Sequence, residues 1–139
     1  MATYTKFYAF VEALAEKKHN LGSDTLTVAL LAAANPPSQA DDGVLADVTQ
    51  AAYTYCSARA LTISSSAQTT GTYKLVIADL TLTATGGAVG PFRYVVIYND
   101  TATNDDLICY FDYGAEITLN DGESFLLDFS PTAGLLTLA

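Results

Sequence analysis

From Asp24 onward the chain alternates apolar and polar positions in short runs, each bounded by Gly, Asn, Asp or Pro. Leu26, Val28 and Leu30 alternate with threonine and alanine. Val76, Ala78, Leu80 and Leu82 alternate with Ile77, Asp79, Thr81 and Thr83. Further runs lie at 92–98, 107–113, 116–119, 124–129 and 135–138. A period of two places one face of each run against a core and the other against water, as in half-buried antiparallel strands. About eight such runs predict a mainly β fold, an antiparallel β-sandwich or jelly-roll-like barrel.

The intervening segments divide the runs. Pro36-Pro37 stops the first strand and Asp41-Asp42-Gly43 marks a turn, so 33–49 reads as a long loop. Val44, Leu45 and Val48 are expected to touch the domain as that loop returns. Residues 52–56 and 60–64 are weaker strand candidates, and the polar stretch 64–72 reads as a mobile loop. Thr85-Gly86-Gly87 signals a hairpin, and Gly90-Pro91 opens the next strand. Asn99–Asp106 is a polar loop across which two aromatic-rich strands pair. Asn120-Asp121-Gly122 reads as a tight hairpin turn.

The period changes near the N-terminus. Phe7, Phe10, Val11 and Leu14 fall at i, i+3, i+4 and i+7, which predicts a helix over 3–19. Lys17 and Lys18 then sit in its last turn, where cations favour the helix dipole. The expected organisation is a helical arm, 1–22, ahead of a β-sandwich domain, 23–139. Phe7, Phe10, Val11, Leu14, Lys17 and Lys18 form a candidate assembly interface, packed on the sheet or docked on a neighbour.

Composition sharpens this picture. Half of the residues are hydrophobic and only 15% are charged, which excludes disorder. Little polar surface is left for a monomer, so self-association or capture by a larger assembly is expected. The net charge is −9, and from His19 onward three basic residues face thirteen acidic ones. Nucleic-acid binding needs clustered positive charge, and the β region offers none. Met1–Lys18 does not read as a secretory signal, and no apolar run reaches membrane-spanning length. Cys56 and Cys109 read as buried thiols.

No catalytic motif overlies the pattern. His19 is the sole histidine, sits beside lysines and lacks a nucleophile elbow, so it reads as a helix-end residue. Two cysteines and one histidine cannot make a four-ligand zinc site. Asp41-Asp42, Asn99-Asp100 and Asp105-Asp106 lack EF-hand spacing and read as exposed turn residues. Gly86–Gly90 resembles a phosphate-binding loop only in glycine content and reads as a hairpin. Tyr94, Tyr98, Tyr110 and Tyr113 lie on neighbouring runs; they read as cross-strand core packing, with a carbohydrate-binding row as the alternative. No enzyme, cofactor or metal is expected.

Five stretches carry a resemblance: 6–15 (KFYAFVEALA), 20–26 (NLGSDTL), 44–49 (VLADVT), 90–100 (GPFRYVVIYND) and 120–125 (NDGESF). Together they resemble small virion structural proteins of tailed bacteriophages. The resemblance implies a capsid decoration or minor capsid protein, or else a tail or tail-tip component. It also implies a homotrimer partnered by the major capsid protein or a tail protein. Such a protein resides in the virion, and in the host cytoplasm during assembly.

Overall fold

The computed structural model describes residues 2–139. The chain is mainly β, with nine antiparallel strands and one short α-helix. In chain order the elements are β1 (Thr3–Lys6), α1 (Tyr8–Ala15), β2 (Leu26–Leu31), β3 (Ile63–Thr69) and β4 (Thr72–Ile77), followed by β5 (Leu80–Thr83), β6 (Val89–Asn99), β7 (Leu107–Leu119), β8 (Ser124–Leu127) and β9 (Leu136–Leu138). One sheet runs β1-β7-β6-β2; a second runs β3-β4-β9; β5 and β8 form a two-stranded ribbon. The arrangement is an open sandwich, and the strands do not close into a barrel.

The main core lies between the four-stranded sheet and the two smaller ones. Leu26, Val28 and Leu30 of β2 and Val95 and Ile97 of β6 meet Leu75 and Ile77 of β4, Leu82 of β5 and Leu127 of β8. A second cluster lies on the other face of the large sheet. There Ala29, Leu31, Tyr94, Val96, Tyr98 and Leu107 gather around Phe7, with Leu45 and Val48 against them. The returning loop therefore does touch the domain, as a strap. It is tied down where Leu107 N donates to Gly43 O and Leu45 N to Asp105 O. Inside the strap, Asp47 accepts from the Gly43 and Val44 amides, which holds its carboxyl below the usual range. Because of the strap every residue of β2 is buried, where a half-buried strand was expected.

The N-terminal segment departs most from expectation. Thr3–Lys6 is a strand paired with β7, from Thr3↔Asp112 to Lys6↔Cys109. It is thus an edge of the large sheet and not part of a separate arm. The helix is only 8–15, and Lys17 with φ +68° ends its path. Phe7 precedes the helix and drops into the strap-side cluster, whereas Phe10 enters the main core. The helix buries Phe10 and Ala13; Leu14 is partly buried, and Val11 is 54% exposed. A face inferred across 7–14 fails because a strand-to-helix junction falls at Phe7.

Four strand expectations are also corrected. Residues 63–69 form a strand, joined to β4 through Thr70 (φ +49°) and Gly71 (φ +85°). Two positive φ values in a two-residue loop match a type I′ turn, which suits the twist of a hairpin. The run 76–83 breaks at Ala78-Asp79, and its halves join different sheets; Asp79 Oδ1 accepts from Phe129 N at the break. Residues 107–119 are one strand bent at Gly114 (φ +81°). Asn120–Gly122 is not a hairpin turn, since β8 pairs with β5 and β7 with β6. The pairing of β6 with β7 across 100–106 matches the expectation.

The segment 51–61 seals the outer edge of β2. Ala51 N donates to Leu30 O, Leu30 N to Tyr53 Oη, Val28 N to Arg59 O and Leu61 N to Leu26 O. The Arg59 guanidinium lies 3.6 Å from the Tyr53 ring centroid. The same segment reaches β5, where Ser57 N donates to Thr83 O and Thr83 N to Ser57 Oγ. Tyr55 lies against Gly86-Gly87, and a Cβ on Gly87 would stand 2.5 Å from its ring.

Candidate functional site

A groove of about 970 Å³ lies beside the α1–β2 connection and the β6–β7 loop. One wall is Leu14 at the end of α1 and the α1–β2 connection, with Lys18, His19 and Asn20. Another is the β6–β7 loop, with Thr101–Asn104. Ser66, Tyr73 and Leu138 of the second sheet complete it.

Behind this groove sits a polar node. Asn99, the last residue of β6, is fully buried. Its Nδ2 donates to His19 Nδ1 at 3.0 Å and to Asp24 Oδ2 at 2.7 Å. Its Oδ1 accepts from the Thr101 and Ala102 amides. All four hydrogen-bonding positions of the amide are filled, so the group has one orientation. That orientation makes His19 Nδ1 an acceptor and places the ring proton of the neutral form on Nε2. His19 is 6% exposed and lies 5.1 Å, centroid to centroid, from Phe10. Its Nε2 has no hydrogen-bond partner among the described residues.

The electrostatics follow from burial. Desolvation lowers the His19 pKa, Lys18 adds to this, and Asp106 and Asp24 oppose it. Lys18 Nζ is 3.9 Å from Asp106 Oδ2, but Lys18 is half exposed, so the ion pair is weak. A catalytic base needs a proton donor within hydrogen-bond reach and a third group to orient it. Here Asn99 orients the imidazole, and no hydroxyl or thiol among the described residues hydrogen-bonds to it. The node ties three segments together: the α1–β2 connection, the end of β6 and the loop after it.

The other candidates fall into two groups. Asp41 and Asp100 are exposed; Asp42 and Asp105 are half-buried. Asn99 and Asp106 are buried, which corrects their reading as exposed loop residues. The reason is that the strands extend into the expected loop, and Asp106 bridges to Val44 of the strap. No group of three metal-ligating side chains occurs among the described residues. Of the interface candidates, Phe7 and Phe10 are buried within the subunit, whereas Val11, Lys17 and Lys18 face solvent. Tyr8, at 61% exposure, joins Val11 on the outer side of the helix.

The tyrosines pack as expected for a core. Tyr94 and Tyr98 are buried on the strap side, and Tyr94 and Tyr110 meet edge to face at 6.4 Å. Tyr113 packs on Phe125 at 5.2 Å. Cys56 and Cys109 are free thiols, and burial pushes both pKa values up. His19 proves to be a buried member of a network centred on Asn99 and not a helix-end residue. Its only sequence signal is its position between an apolar helix face and the first strand. Comparison with protein families, with curated proteins and with solved structures finds no match. Among the described residues, no helix is long and apolar enough to cross a membrane.

Proposed function

We propose that this chain is a non-enzymatic bacteriophage virion structural protein that decorates and stabilises the head lattice. The observation that carries this reading is a division of labour among side chains. The buried polar groups at the groove bond to one another and hold the fold, as at Asn99. Several large apolar side chains are left facing outward: Tyr8, Val11 and Leu126 are each more than half exposed. Such a surface suits contact with other proteins better than chemistry.

The mechanism is mass action. A protein that binds only the assembled lattice stabilises it by its binding free energy. Repetition over many symmetric positions raises a modest contact through avidity. The acidic body, net −10 after Lys18, suits an outward placement away from DNA. A tail position is the competing virion role. The sugar-binding reading loses support, because Tyr94 and Tyr98 are buried.

The test is sedimentation of the purified chain with heads and, separately, with tails of a phage whose genome encodes it. Saturable binding to heads, with raised thermal stability of the shell, is the expected result. Binding to tails alone would move the protein to the tail. Binding to neither would overturn the proposal.

A further inference from the structure

The strand edges of this fold are treated unequally. β2 is sealed by 51–61 along its length, and β5 by Ser57. β1 is four residues long, and its Lys6 carbonyl accepts from Gln39 Nε2. β9 has three residues. β8 has four and lies between Glu123 and Asp128, whose charges would repel an identical edge. β3 differs from all of these. It has seven residues, stands at the end of its sheet, and makes no backbone bond along 64–69 except to β4 among the described residues.

The turn fixes which groups are free. With a two-residue loop at Thr70-Gly71, Thr69↔Thr72 is a hydrogen-bonded pair, and bonded pairs then alternate along the ladder. Ala67 and Ser65 therefore bond to β4, while Gln68 and Ser66 point their N–H and C=O groups away from the sheet; the register shifts at Ser64, where the alternation ends. Natural edges are usually blunted by lysine, proline, a bulge or an inward charge. On β3 a single register shift occurs at Ser64, at the far end from the turn, and 65–69 has none of these devices. No charged residue lies between Arg59 and Lys74. In so acidic a chain, this edge can meet its own copy without like-charge repulsion.

We propose that β3 pairs antiparallel with β3 of a second copy across a two-fold axis, joining the two small sheets into one six-stranded sheet. An antiparallel edge is self-complementary, because each outward N–H meets an outward C=O of the same segment in the other copy. The pairing does not depend on the virion reading. It yields a dimer, whereas the trimer implied by the family resemblance would need a different contact.

The experiment is sedimentation equilibrium of the full chain over a wide concentration range, with hydrogen exchange on the same samples. Two variants accompany it. Gln68→Pro removes an outward N–H without taking a backbone bond from the β3–β4 ladder, and both variants give up the Gln68 Oε1 bond to the Gly71 amide equally. Gln68→Lys adds like charge to both edges while leaving the backbone intact. The expected result is a concentration-dependent doubling of mass, with slowed exchange at Ser66 and Gln68 in the dimer. Both variants, shown folded by an unchanged β-type circular dichroism spectrum, should weaken dimerisation at least about tenfold, which corresponds to about 1.4 kcal/mol. A monomer at every concentration, a trimer, or a dimer that the folded Gln68→Lys chain forms equally well would each overturn the proposal.

Discussion

Asn99→Ala should be among the most damaging single changes in this protein. The substitution removes two donated and two accepted hydrogen bonds at once. The Thr101 and Ala102 amides lie near the surface and can turn to water, so their loss weighs little. His19 Nδ1 loses its donor in the interior, and the half-buried Asp24 Oδ2 is left with the Asn20 amide alone. A buried group left unsatisfied costs about 1–3 kcal/mol, and more when charged. The expected destabilisation is therefore about 3–4 kcal/mol, or a fall in Tm of roughly 10–14 °C for a domain of this size. Urea unfolding followed by circular dichroism measures it. Asn99→Asp sharpens the test. It preserves the acceptors for Thr101 and Ala102 but sets a carboxylate beside Asp24. That pair favours proton uptake in the folded state, so the variant should gain stability as pH falls, opposite in sign to the parent. A loss below about 1 kcal/mol for Asn99→Ala would show that the node does not hold the fold. A shared pH slope for parent and Asn99→Asp would refute the proton linkage.

Further outcomes are expected from the same physics. The folded state lowers the His19 pKa from its usual 6.5, so the unfolded chain binds the proton first. Stability from this group is complete above about pH 6.5 and is lost progressively below it, and His19→Gln should flatten the urea midpoint between pH 7.5 and 5.5. Phe10→Ala and Phe7→Ala should each cost about 3–5 kcal/mol, one in each core cluster, by thermal or urea unfolding. Val11→Ala should stay within about 0.5 kcal/mol, because its side chain faces water. Cys109 is fully buried and should resist a thiol reagent until the chain unfolds, while the half-buried Cys56 reacts first.

The period-two runs made the strands at 26–31, 92–98 and 107–113 legible, because each keeps one face in the main core. They could not show that β2 is covered twice. The strap that covers it comes from a loop whose contacts, at Leu45 and Val48, depend on tertiary placement. Serine, threonine and glutamine conceal β3 for a different reason: both of its faces are largely exposed, so no alternation is imposed. The helix was overextended because Phe7 happens to lie at helical spacing from Phe10 while serving another cluster. The site was least legible. A buried Asn–His–Asp network looks, in sequence, like ordinary turn chemistry at Asn99-Asp100 and Ser23-Asp24.

The pairing of β1 with β7 bears on how the chain is made. Thr3–Lys6 finds its partners at 109–112, and Leu26–Leu31 finds its partners at 94–99. A ribosome delivers the N-terminus first, so the first thirty residues wait without a sheet until most of the polypeptide has emerged. The 63–77 hairpin joins near neighbours early, and β6 with β7 does so once 89–119 has emerged. Non-local pairing of this kind slows folding and leaves apolar segments uncovered during synthesis. Leu26–Leu31 is the segment at risk, since native contacts bury all of it. Circular permutants that begin after the Thr70-Gly71 turn would bring out 94–112 well before β1 and β2, so each early strand would emerge to a partner already waiting.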